Sequence, residues 1–280
     1  MPETPVHTHP RPQFRRKHWT SLDGPWQFAI DPDSRWNSPD EVEWNRTIEV
    51  PFAPETSASG IGDTGFYERC WYRRRIPAQV LEHQKQLHVH FGAVDYEATV
   101  WASGRVVARH EGGYTPFTAN LSGIESGEID LIVRATDDPH DLSKPRGKQD
   151  WQLEPHSIWY PRTTGIWQTV WMEQVPQTRI GKLCWTPTLE RWELGLEAII
   201  EGEPQHDLLL RVVLRAGPLL LADDTYRVIA GEVLRRIALS DPGIDDYRNE
   251  LLWSPERPTL IQAHLQLTDG LGSILDEVWR

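Results

Sequence analysis

Residues 98–117, ATVWASGRVVARHEGGYTPF, constrain the fold more than any other stretch of this chain. Thr99 and Trp101, then Val106 and Ala108, alternate with their neighbours, which is the period of a half-buried strand. Ala102-Ser103-Gly104 separates the two runs, and Gly104 can take the left-handed position of a short hairpin loop. Gly112-Gly113 permits a sharp reversal. Thr115 stands before Pro116 and is pushed to an extended conformation, which aims Tyr114 and Phe117 in fixed directions. The rest of the chain agrees with an antiparallel β reading. Helical periodicity is nearly absent, and short alternating or apolar runs are separated by Gly, Pro, Asp and Asn, the pattern of β-sandwiches.

Length and charge narrow the partners. The 280 residues suffice for one large or two medium domains. With 29 basic and 41 acidic residues the net charge is −12, and no basic face exists to attract a phosphate backbone, so nucleic acid is not an expected partner. Arg73-Arg74-Arg75 is the densest basic run; in a strand it alternates faces and reads as solvated. No run approaches membrane-spanning length. Met1–Arg16 is rich in Pro, His and Arg without an apolar core, unlike a secretory signal. Cys70 and Cys184 are read as two free thiols, which points to the cytoplasm. The 14 tryptophans are expected mostly in the core, although an indole also suits the apolar C–H face of a sugar ring.

Three segments are expected: a flexible tail over 1–18, a first domain over 19–176 and a second over 177–280. Glu173–Gln177 is the boundary, because Pro176 cannot serve a central ladder. The second domain shows seven strand-like runs: Ile180–Pro187, Leu194–Glu201, Asp207–Leu214, Thr225–Ala230, Glu232–Leu239, Thr259–Leu267 and Ser273–Val278. That count and spacing fit an immunoglobulin-like sandwich.

Particular motifs add a family resemblance. Ser21-Leu22-Asp23-Gly24-Pro25-Trp26-Gln27-Phe28, Ile48-Glu49-Val50-Pro51, Cys70-Trp71-Tyr72-Arg73-Arg74, Leu87–Asp95 and Thr164-Gly165-Ile166-Trp167 follow one another in the order found in glycoside hydrolase family 2. The Trp101–Gly104 hairpin resembles that family's Trp-Val-Asn-Gly turn, with Ala102-Ser103 in place of Val-Asn. Leu252-Trp253-Ser254-Pro255-Glu256-Arg257-Pro258-Thr259-Leu260 resembles a run near the end of the family's second domain. The resemblance implies an all-β chain: a jelly-roll (galactose-binding-like) sandwich followed by an immunoglobulin-like β-sandwich. It also implies a parent enzyme that hydrolyses β-glycosides with retention.

The chemistry of such an enzyme is not found in these residues. A retaining glycosidase needs two carboxyl groups about 5–5.5 Å apart. In the family both stand on a (β/α)8 barrel of about 250 residues, and no strand–helix series here builds one. No catalytic residue is therefore assigned. Asn249-Glu250 matches the family's acid/base pair in two letters only, and its context inside the second sandwich is wrong. Asp137-Asp138, Asp223-Asp224 and Asp245-Asp246 are neighbours whose side chains point opposite ways in extended structure. His88 and His90 share one face of a strand without a third ligand, so a hydrogen-bonded pair is expected rather than a metal site. No cofactor and no metal are expected.

The 26 residues from Asp137 to Arg162 carry the functional expectation. They lack a strand pattern, and loops that long in a compact domain are usually functional or disordered. Polar groups there stand beside Trp151, Trp159 and Tyr160, a mixture suited to a hydroxyl-rich ring. In the family this connection reaches towards the sugar. The resemblance thus implies Asp137, Arg146, Lys148, Gln149, Asp150 and Trp151 as substrate-binding residues. The competing reading has Arg146 and Lys148 pairing with nearby acids and an indole plugging an interface. The expected partners are a β-glycoside and a catalytic barrel domain, with homo-oligomerisation left open. Two alternatives stand beside the non-catalytic N-terminal part of a glycosidase: a free-standing carbohydrate-binding or scaffold module, and an enzyme complete in itself.

Overall fold

A computed structural model of the chain describes residues 9–77, 85–124, 127–202, 207–239 and 251–280. The chain is all-β and divides into two compact units, Trp19–Gln174 and a second made of Met1–His18 with Val175–Arg280. Among the described residues no helix is long and apolar enough to cross a membrane.

The strands of the first unit are β1 (Trp19–Ser21), β2 (Gly24–Asp31), β3 (Arg46–Val50), β4 (Arg69–Ile76), β5 (Lys85–Phe91), β6 (Val94–Asp95), β7 (Glu97–Ala102), β8 (Arg105–Glu111), β9 (Phe117–Asn120), β10 (Ile129–Thr136), β11 (Gly165–Ile166) and β12 (Val170–Pro176). They form a six-stranded sheet, β3-β2-β4-β10-β7-β8, a four-stranded sheet, β1-β12-β5-β9, and the short pair β11-β6. One apolar cluster joins the two larger sheets. Trp26, Phe28, Ile48, Tyr72, Val100, Leu131 and Val133 come from the first, and Leu87, Val89, Phe91, Ala119 and Met172 from the second. Alternate residues along each strand supply this core, as a sandwich requires.

Several of the family-like motifs act as fastenings. Asp23 accepts from Val170 N at 2.8 Å and from the Thr169 hydroxyl at 2.6 Å, while Trp26 Nε1 donates to Leu22 O at 2.8 Å. Ser103 and Gly104 both have positive φ, 46° and 82°, so the β7–β8 hairpin turns through two left-handed residues, the arrangement whose twist matches paired strands. Gly165 lies at φ 76° against the Tyr72 hydroxyl, where a Cβ would collide, and Ile166 N donates to that hydroxyl at 3.2 Å.

The hairpin differs from expectation on one point. β7 is not half-buried: Ala98 to Ala102 are all buried, Thr99 and Trp101 included. The face turned away from the core is itself covered, by a second cluster of Trp71, Trp101, Ile132, Val42 and Ala29 with Trp36 and Trp44.

The second unit has seven strands among the described residues: β13 (Arg179–Thr188), β14 (Glu193–Glu201), β15 (Leu208–Ala216), β16 (Leu219–Arg227), β17 (Glu232–Ala238), β18 (Gln262–Asp269) and β19 (Ile274–Trp279). Sheets β13-β14-β17 and β16-β15-β18-β19 enclose Ile180, Leu196, Ala198, Leu210, Val212, Leu265, Leu267 and Val278. The expected run Thr225–Ala230 is corrected to Leu219–Arg227. Leu219 and Leu220 are exposed on this edge strand, so burial did not impose the alternation that reading relied on.

Residues 9–18 are also corrected, from a flexible tail to a packed segment; residues 1–8 lie outside the described residues. Arg15 pairs with Trp279 through two 2.9 Å backbone bonds. Arg16 reaches Asp276 twice, at 2.9 Å each, and donates to Ile180 O at 2.8 Å. A free arm is not compatible with a buried, bidentate arginine. Asn249-Glu250 and Asp245-Asp246 lie outside the described residues.

Candidate functional site

The long connection after β10 is braced, not loose. Tyr160 N donates to Lys148 O and Asp150 N to Tyr160 O, both at 2.8 Å, which closes residues 150–160 into a sub-loop. Asp150 pins its interior, accepting from Gln152 N at 3.0 Å, His156 N at 2.7 Å and the His156 ring at 2.8 Å. Burial acts to raise the Asp150 carboxyl, and these three bonds outweigh it, so its pKa lies below the ordinary aspartate value.

Arg162 fastens the far end. Its guanidinium donates to Asp137 Oδ2 at 3.0 Å and to Tyr67 O at 2.8 Å, and also to Asp137 O. Lys144 approaches the same carboxylate at 3.5 Å. Glu55 accepts from Thr164 N and from the Tyr67 hydroxyl, each at 3.2 Å, and burial pushes its carboxyl above the ordinary glutamate value.

Gln149 links this loop to the strands. Its amide donates to Asp95 Oδ2 at 2.8 Å and to the Tyr114 hydroxyl at 3.3 Å, and its carbonyl oxygen accepts from Thr163 N at 2.8 Å. Asp95 ends β6 and lies hard against Gly113, where any Cβ would overlap its carboxylate. Trp167 Nε1 donates to Gly113 O at 2.7 Å and holds the turn in place. Burial pushes the Asp95 carboxyl up to about 6; the Gln149 bond opposes the shift and the Asp137 charge adds to it.

Asp137, Arg146, Gln149 and Asp150, four of the residues named from sequence, thus line one cleft with Asp95, Tyr96, Lys144 and Arg162. Arg146 donates to Asp141 O at 2.6 Å. Lys148 and Trp151 are not part of the lining. Lys148 serves through its backbone carbonyl, and Trp151 is 41% exposed beside the Trp159 and His156 rings. The cleft encloses about 10 Å3, room for one water molecule and far less than a sugar ring. It is a rim of hydrogen-bonding groups.

Asp95, Glu55 and Arg162 were not singled out from sequence. No spacing rule joins Asp95 to Gln149 across 54 positions. The one local signal was Gly112-Gly113, because paired glycines mark a close approach.

No protein-family model matches the chain. It is 30% identical over 297 residues to the β-glucuronidase of Felis catus, covering 91% of this chain and 42% of that protein. The β-glucuronidase of Paenibacillus borealis is 27% identical, with 91% and 43% covered. The β-galactosidase of Thermoanaerobacter pseudethanolicus is 24% identical, with 70% and 26% covered. The chain therefore spans between about a quarter and two-fifths of the length of these curated relatives. In fold it is similar to a β-glucuronidase from Ruminococcus gnavus in complex with D-glucaro 1,5-lactone, with a TM-score of 0.67, 19% identity and coverage of 95% of this chain and 46% of that one.

The all-β fold matches that of the N-terminal part of solved β-glucuronidases. By sequence the chain is similar to the β-glucuronidases and β-galactosidases of glycoside hydrolase family 2, and what it matches is their N-terminal part.

Proposed function

We propose that this chain shapes the outer rim of the substrate pocket of a family 2 glycosidase and supports a (β/α)8 barrel that hydrolyses β-glycosides with retention. The observation that supports this reading is the convergence of Asp95, Asp137, Gln149 and Asp150, from two strand ends and one braced loop, on a rim too small to hold a sugar alone. Groups oriented in advance add to binding when a second surface closes over them. In this reading residues 19–176 are the jelly-roll domain and 177–280 the immunoglobulin-like one. Asp137, Arg146, Gln149 and Asp150 face the sugar with Asp95 beside them. Lys148 and Trp151 serve from the loop's outer side. The acid and the nucleophile belong to the barrel. Two free thiols, Cys70 buried and Cys184 exposed, support a cytoplasmic setting.

The test is hydrolysis and binding by the purified 280-residue chain. Aryl β-glucuronides, β-galactosides and β-mannosides are expected to remain intact, and calorimetry with the free sugars is expected to show no submillimolar binding. Turnover that disappears in Asp150→Asn would replace this reading with a self-contained enzyme. Submillimolar sugar affinity without turnover would favour a free-standing binding module.

A further inference from the structure

The face of the six-stranded sheet that turns away from the core carries a group the cleft does not use. Trp71 on β4 and Trp101 on β7 stack at 5.5 Å and 24°. β10 runs between their strands and lays Arg134 against both rings, its guanidinium carbon 5.6 Å from one and 5.7 Å from the other. The Arg134 side chain has no hydrogen bond or ion pair among the described residues, and its Nε is buried without an acceptor.

An unpaired guanidinium rarely sits in such a place. Stacking on indoles offsets part of its desolvation but satisfies none of its five donors. Its charged neighbours do not help. Burial, then the charges of Arg69 and Arg109, pull the Arg134 pKa below the ordinary arginine value, while Glu97 and Asp31 act weakly the other way. Asp31 is already occupied by Arg35 N and Trp36 N, each at 2.9 Å. Arg69 donates to Ser34 O at 2.9 Å and lies 3.8 Å from the Glu68 carboxylate, while Arg109 donates to the Thr99 hydroxyl at 3.2 Å.

We propose that this face binds an oxyanion, held by the outer N–H edge of Arg134 with the Arg109 guanidinium beside it. Charge-assisted, bidentate bonds to carboxylate, sulfate or phosphate are the pairing that a guanidinium with open donors favours. The recognised group is the anion and not a stacked sugar ring, because Trp71 and Trp101 are 0% and 8% exposed. Arg134, Arg109, Trp71 and Trp101 are absent from the cleft lining, so the site stands independently of the glycosidase reading.

The test titrates the 280-residue chain with sodium sulfate, sodium glucuronate and neutral glucose at constant ionic strength. Calorimetry and the Nε–H resonance of Arg134 are the readouts. Both anions are expected to bind saturably, with millimolar affinity and in competition, and to shift that resonance, while glucose does neither. A tighter response to glucuronate identifies an acidic sugar as the source, and a tighter response to sulfate an inorganic anion. Arg134→Gln is expected to weaken binding about tenfold or more, which is about 1.4 kcal/mol. Arg109→Gln, at an exposed position, is expected to act in the same direction and serves where Arg134→Gln does not fold. Absence of saturation by either anion, or unchanged binding in a folded variant of either arginine, overturns the proposal.

Discussion

Gly113 and Asp95 are fitted so closely that neither tolerates change without the other responding. A methyl group at 113 overlaps a buried carboxylate, and Asp95 has little room to move because Gln149 holds its Oδ2. Gly113→Ala is expected to destabilise the first unit by about 1–3 kcal/mol, the usual range for overpacking, measured by chemical denaturation. Asp95 itself makes stability depend on pH in an unusual direction. Its folded pKa of about 6 lies above the unfolded aspartate value, so the folded state binds the proton more tightly. Between about pH 4 and 6 the fold gains from protonation, and that gain is lost as pH rises through 6. Asp95→Asn, which keeps the shape and removes the charge, is expected to gain on the order of 2 kcal/mol over wild type at pH 7.5 and little at pH 4. Thermal unfolding of both proteins across this range checks the sign; a difference that does not grow with pH refutes it. The close contact was half legible in sequence. Gly112-Gly113 was read as a sharp reversal, and nothing in the string named Asp95 as its neighbour.

At the scale of elements, the β7–β8 hairpin and the connection from Asp137 to Arg162 behaved differently under sequence reading. A hairpin is set by neighbours: two left-handed residues at Ser103-Gly104 and the alternation on either side suffice to place it. A long connection without periodicity has no such rule. Its order comes from Asp150, which accepts three hydrogen bonds, and from Arg162, which spans from Asp137 to Tyr67. Asp150→Ala is expected to open residues 151–158, seen as faster amide exchange and easier proteolysis there, with little loss in the midpoint of global unfolding. Equal protection of that segment in the variant and in wild type counts against Asp150 as its pin. The same contrast explains β16. On an edge strand with exposed Leu219 and Leu220 the polar–apolar pattern is weak, and the position of the strand is decided by pairing with β15.

At the scale of the whole molecule, the second unit draws on both ends of the chain. Arg16 and Asp276, 260 positions apart, form a buried pair whose side chains are 7% and 2% exposed, and Ile180 N donates to the same carboxylate. Removing one partner of such a pair leaves a charge without compensation, at a cost of about 3–5 kcal/mol. Arg16→Met is therefore expected to lower the calorimetric transition of the second unit while leaving the first in place; an unchanged transition shows that the N-terminal segment contributes nothing to it. Sequence alone determined the all-β class, the seven strands found among the described residues of the second unit and the family resemblance, because alternation, turn residues and short motifs are local properties of a string. It also marked the connection from Asp137 to Arg162, because a polar run within a long connection is visible as such; Asp137, Arg146, Lys148, Gln149, Asp150 and Trp151 were named there through the resemblance. Only the tertiary structure decided that Asp95 meets Gln149, that Arg134 lies unpaired across two indoles, and that residues 9–18 pack beside β19. Each of these joins groups on separate segments, and burial and charge act through distances that the order of residues does not contain.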